Sequence, residues 1–87
     1  IERKKLKEIT PIEYGEKEGY YYYFHENGQI AVQGEDHWGE RVNDWIENHT
    51  SGKRKRIIAY PKEAFEKEIH PYVRKGWDEK GKEIYSK

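Results

Sequence analysis

Residues 19–34 read GYYYYFHENGQIAVQG. Ahead of Asn27-Gly28, Tyr20, Tyr22 and Phe24 alternate with Tyr21, Tyr23 and His25; after it, Ile30 and Val32 alternate with Ala31 and Gln33. A period of two marks extended strands, because successive side chains point to opposite faces of a sheet. Asn-Gly between two such runs is the strongest short hairpin signal, since both residues tolerate the positive φ of a type I′ turn. The stretch is read as a β-hairpin carrying rings on both faces, one face packed on a core and the other half open.

Two later stretches repeat the arrangement more loosely. Residues 45–58, WIENHTSGKRKRII, turn at Gly52, and residues 77–85, WDEKGKEIY, turn at Gly81. With Gly28, Gly52 and Gly81 in register, His25 and His49 stand three positions upstream, and Phe24 and Trp77 four upstream. Tyr21 and Trp45 share the place seven upstream. The spacings, 28 to 52 and 52 to 81, are 24 and 29 residues, in the range of stacked supersecondary units. The longer interval holds YPKEAFEKEIHP (60–71), with one proline suited to a first helical position and another after the end. Phe65 and Ile69 lie four apart, so a short helix near 61–69 is expected to lay them on the sheet. Residues 1–15, with Ile9, Ile12 and Tyr14 around Pro11, read as an arm or edge strand, where a missing N–H costs little.

Size and composition bound the rest. Eighty-seven residues are read as one domain with a small core. Charged residues are 39% of the chain, yet 15% aromatics argue against disorder, because rings bury so much area. Seventeen basic and seventeen acidic side chains cancel, so attraction to nucleic acid or membrane needs a local patch. The absence of cysteine excludes disulfide and thiolate chemistry. No apolar run approaches the ~18 residues of a spanning helix. The opening IERKKLKEI, without methionine, points to a fragment or mature form of a longer chain.

On these residues the chain resembles the bacterial MORN-variant repeat, whose units run G-x-W-x-x-Y-Y-x-N-G-x-L-x-x-x-G. The matching positions are Gly19, Phe24, His25, Asn27, Gly28, Ile30 and Gly34 in the first unit. Trp45 and Gly52 match in the second and Trp77 and Gly81 in the third, while 60–71 departs from the pattern. The resemblance implies a meander of antiparallel hairpins in one elongated sheet. It also implies an antitoxin-like protein whose partner is a bacterial toxin or another protein, with no shared catalytic residues.

Each candidate site has a plainer explanation beside it. Tyr20, Tyr22, Trp38, Trp45 and Trp77 offer a protein-binding face, since Tyr and Trp dominate interface hot spots. Cross-strand rings also hold a thin sheet together, each pair contributing about 0.2–1 kcal/mol. Only sixteen aliphatic and alanine residues are present, too few to cover both faces, so some rings stay exposed. The run Lys53-Arg54-Lys55-Arg56 suits an anion site for nucleic acid or acidic lipid. Alternation would instead send Lys53 and Lys55 one way and Arg54 and Arg56 the other, as on a solvated strand that resists edge-to-edge pairing. His25 and His49, with Asp44 or Glu47, are the set a metal-dependent hydrolase would use if neighbouring hairpins bring them together. The spacings of His25, His37, His49 and His70 fit no compact ligand motif, and both repeat histidines stand where an aromatic belongs.

The expected architecture is mainly β: an antiparallel meander of about six or seven strands from hairpin units at 19–36, 43–58 and 72–85. The expected function is non-enzymatic protein binding, without cofactor or metal. Self-association, favoured by leftover edges and rings, is a second form of it.

Overall fold

All three glycine-centred stretches fold as hairpins. The protein is described by a computed structural model covering residues 8–13, 15–66 and 68–87, so residues 1–7 and Tyr14 of the expected arm lie outside the described residues. The strands are β1 (Glu8–Ile9), β2 (Ile12–Glu13), β3 (Glu16–Lys17), β4 (Gly19–Phe24), β5 (Ile30–His37), β6 (Glu40–Asn48), β7 (Arg54–Ala59), β8 (Tyr72–Trp77) and β9 (Glu83–Ser86). Seven form one antiparallel sheet in the order β1-β4-β5-β6-β7-β8-β9, while β2 and β3 pair as a separate ribbon. The expected meander is present, with β1 added outside β4.

The repeat is visible in backbone detail. In the first hairpin His25 N–H donates to Gln29 O, and Gly28 N–H donates to His25 O. The same pair of bonds closes the second turn between His49, Gly52 and Lys53, and the third between Asp78, Gly81 and Lys82. Each hairpin also carries a register shift with one extra residue: Ala31, Lys55 or Ile84. All three stand three places after the turn glycine, at 28 + 3, 52 + 3 and 81 + 3. Glycine serves because its φ is +88°, +94° and +92° at the three turns.

This geometry corrects the expected type I′ turn at Asn27-Gly28. Asn27 is not left-handed, so only one residue of the loop has positive φ. Such a three-residue loop is a type I turn closed by a left-handed glycine. Asn27 contributes through its amide instead, accepting from Gln29 N–H at 2.9 Å and donating to Thr50 O in the next hairpin at 2.6 Å. The pattern of positive φ at both central residues occurs at the β5–β6 turn, on Trp38 (52°) and Gly39 (79°).

The short helix expected near 61–69 is absent among the described residues, where bends and a single turn connect β7 to β8. Tyr60 N–H donates to Asn43 O, and Asn43 N–H donates to Pro61 O, so Pro61 prolongs the pairing beside β6 instead of opening a helix. One long i to i+3 bond, Glu66 N–H to Glu63 O, forms at 3.4 Å. The left-handed φ of Phe65, +66°, then stops propagation. Lys67 lies outside the described residues.

The sheet is a single layer. Its Cα extents are 43 × 38 × 11 Å, and packed sheets lie about 10 Å apart, which leaves no depth for a second layer. The radius of gyration, 14.5 Å, exceeds the ~12 Å of a compact domain of this length. The buried apolar side chains among the described residues are Ala31, Val42 and Trp45. Trp45 is 1% exposed because its indole lies on Gly34, where a Cβ would come within 2.1 Å of the ring. Tyr21 and Tyr60 flank it at 5.2 and 6.0 Å, the Arg41 guanidinium covers it at 4.2 Å, and its Nε1–H donates to Glu35 O.

Candidate functional site

Register places the candidate residues on faces, because residues paired across strands share one side of a sheet. One unbroken row crosses all seven strands: Ile9, Tyr22, Gln33, Ile46, Ile57, Lys75, Ser86. Tyr20 lies two residues from Tyr22 and Trp77 two from Lys75, so both belong to this face. Tyr20 is 64% exposed, while Tyr22 and Trp77 are half-buried. Tyr20, Tyr22, Gln33, Glu35, Asp44 and Ile46 line a shallow hollow of about 210 Å³ on it.

Trp45 does not join them. It pairs with Ile58, next along each strand from the Ile46–Ile57 pair, and so belongs to the opposite face. Sequence reading set it among exposed anchors, whereas it is the most buried large side chain described. The signal that finds it is Gly34, a glycine at ordinary φ whose missing side chain leaves room for an indole. Trp38 stands apart from both faces, at the tip of the β5–β6 turn and 51% exposed.

The histidines have backbone partners. His25 Nε2–H donates to Asn48 O and His49 Nε2–H donates to Trp77 O, each at 2.9 Å. A carbonyl only accepts, so Nε2 carries the proton in both rings. Asn48 and Trp77 each stand four places before the next turn glycine, so one repeat position braces the following hairpin twice over. In the third unit Asp78 replaces histidine and accepts from Lys80 and Lys82 N–H. Those backbone bonds, that from Lys82 first, hold its carboxyl below the usual 3.8. Asp44 and Glu47, the acids suggested to complete a metal set, are ion-paired with Arg74 and Arg56. No group of three or more metal-ligating side chains occurs among the described residues.

The basic run is split, though not as strand alternation alone predicts. Arg54 pairs with Asn48 and Arg56 with Glu47, consecutive residues of β6, so the two arginines fall on opposite faces. The extra residue Lys55 causes the difference, since a bulge changes the parity between its neighbours. Arg56 is bonded to Glu47, and Lys53 Nζ donates to Lys80 O at 3.4 Å.

At the end of the sheet away from the three glycine turns, the ribbon and two connections meet. Gly39 N–H donates to Lys17 O, tying the β5–β6 turn to β3. Glu18 accepts from Trp38 N–H at 2.9 Å and pairs with His37 Nδ1 at 2.5 Å; these bonds, in that order, hold its carboxyl below the usual 4.5. Asp36 is 4% exposed, and its Oδ2 has no hydrogen-bond partner among the described residues. Burial pushes its carboxyl up from 3.8, against Lys17 and Arg41, which act to lower it. Between this turn and the 60–71 connection runs a groove lined by Glu40, Arg41, Tyr60, Phe65, Glu66 and Ile69, with an exposed Phe65 ring. Sequence reading gave Phe65 and Ile69 to a helix face and missed the groove. The five extra residues of the 29-residue interval were the available signal.

Compared with protein-family models, with curated proteins and with solved structures, the chain gives no match, so function is argued from residues and geometry alone.

Proposed function

We propose that this domain is a non-enzymatic protein-binding module of the antitoxin or immunity kind, docking a partner on the open face of its sheet. The supporting observation is the single layer: 11 Å of depth leaves Tyr20, Tyr22 and Trp77 on a face that no second layer covers. Rings of this kind make low-entropy anchors, since Tyr and Trp present large area on two rotatable bonds. Trp38, at the margin of the sheet, extends the anchor set, and Trp45 acts beneath it as the core that keeps the sheet stiff. Surrounding Lys and Glu form a rim that sets orientation and encounter rate more than affinity. The MORN-variant resemblance adds the kind of partner, a bacterial toxin. Binding of nucleic acid or acidic lipid through Lys53–Arg56 is the weaker reading, because the run straddles both faces and Arg56 is already paired with Glu47.

The test compares immobilised wild-type chain with a Tyr20→Ala/Trp38→Ala variant in extract from the source cells, read by mass spectrometry. Both side chains are exposed, so the variant should fold normally. A protein retained by the wild type and lost by the variant supports the module. Equal retention by both, or retention of nucleic acid alone, overturns it.

A further inference from the structure

We infer that the groove between the Trp38–Arg41 turn and the 60–71 connection seats a basic segment of the partner, an inference that rests on the protein-binding reading above. The groove holds about 530 Å³, and its floor is Tyr60, Pro61, Phe65 and Ile69. Its walls carry Glu40, Glu63 and Glu66, none of which forms an ion pair among the described residues. Among the described residues, Arg41 and His70 are the basic side chains lining it, and the Arg41 guanidinium is already committed. It lies 4.2 Å over Trp45, donates to Tyr60 Oη at 3.1 Å and opposes the buried Asp36 across the strand pair. Three carboxylates therefore face the groove with little local compensation. Glu16 extends the acidic rim, its carboxylate resting against Gly39 at the turn.

Phe65, which lines the groove, and Trp38, next to its lining residue Gly39, hold a backbone state that bulky residues rarely adopt. Trp38 and Phe65 have φ of 52° and 66°, and both rings are more than half exposed. A bulky residue in that region is strained, and the fold gains only partial burial of these rings in return. An apolar floor, exposed ring faces and uncompensated carboxylates together fit one chemistry: an extended segment alternating apolar and Arg or Lys side chains. Its apolar groups rest on Phe65 and Ile69, its cations meet Glu40, Glu63 and Glu66, and the rings add cation–π attraction. An acidic partner or a nucleic acid would be repelled here.

The probe is a capped hexapeptide, Leu-Arg-Leu-Arg-Leu-Arg, titrated into the isotopically labelled chain and followed by amide chemical shifts, with Leu-Glu-Leu-Glu-Leu-Glu as control. The expected result is saturable shifts confined to residues 38–41 and 60–71 with the basic peptide and none with the acidic one. Glu63→Gln/Glu66→Gln should weaken binding by about fivefold or more, while Glu26→Gln/Glu79→Gln at the opposite end should bind as wild type. Absent shifts, shifts centred on the Tyr20–Tyr22 hollow, or equal loss in both double variants overturn the inference. Concentration-dependent association of the chain itself, with shifts at the groove before any peptide is added, also overturns it by making a second copy the occupant. A groove that rejects the peptide while the extract partner still depends on Tyr20 and Trp38 would sink this inference alone and leave the binding module standing.

Discussion

The two ends of this sheet are built on different terms. At one end, three turns repeat the same pair of hydrogen bonds, each left-handed position is glycine, and side chains at fixed repeat positions brace the next hairpin. At the other end, left-handed positions fall on Trp38 and Phe65 as well as Gly39, rings stand in solvent, and one oxygen of the buried Asp36 carboxylate has no hydrogen-bond partner among the described residues. The first end has every local choice agreeing with the fold. The second violates such choices at Asp36, Trp38 and Phe65, and violations of that kind cluster where a surface serves something besides stability.

Trp45 lies between the ends and belongs to neither, so it provides the strongest way to break the comparison. Trp45→Ala removes the one large, fully buried side chain among the described residues and should cost about 3–5 kcal/mol. For a core this small the expected outcome is loss of the cooperative transition at both ends together in thermal or urea unfolding. Retention of the turn end alone would show that the ends are independent units.

Next in size is the glycine test. Gly28→Val places a β-branched residue at φ +88°, and the expected loss is about 1–3 kcal/mol, read as a lower denaturant midpoint. The matching change at the ring end should run the opposite way. Trp38→Asn puts a residue that tolerates left-handed φ where an exposed indole now stands, and should raise the unfolding free energy by up to about 1 kcal/mol. The same variant should bind the partner less well. Destabilisation by Trp38→Asn would mean that the ring supports the fold and that the contrast between the ends is false.

The smallest expected effect concerns pH. The folded-state value of Asp36 is raised above 3.8 by burial, so its contribution favours the fold below 3.8 and is lost as pH rises through the folded value. Asp36→Asn should therefore melt higher than wild type at pH 7, with the gap closing as pH falls toward 4. Glu18, in the same region, has the opposite sign: its stabilising bonds are intact above 4.5 and lost as pH drops through a folded value lying lower. A melting-temperature gap for Asp36→Asn that is negative at pH 7, or unchanged by pH, would refute the burial account.

How legible this protein is depends on the range of the interaction concerned. The hairpins at 19–37, 40–59 and 72–86 follow from alternation and glycine spacing, both properties of a few consecutive residues. The turn at Asn27 was misread because Asn-Gly suits two hairpin loops, and an amide bond to Thr50 in the next hairpin accompanies the one that formed. The helix failed because Phe65 and Ile69 have the right spacing but no surface opposite them, and Pro61 was taken by β6. Of the five proposed anchors, four stand on the open face or at the turn tip and Trp45 lies inside. Residue type cannot separate those cases, since the same indole is core or contact according to what lies across from it.

Chain chemistry by itself determined a glycine-paced antiparallel ribbon, its strands, and a surplus of rings over what its few aliphatic residues can cover. Only the tertiary arrangement decided which rings were covered: Gly34 made space for Trp45, Arg41 and Tyr60 closed over it, and the single layer left Tyr20 and Tyr22 outside. The division is physical, because strand and turn preferences act between near neighbours along the chain, whereas burial is a property of residues that meet only after the strands have paired.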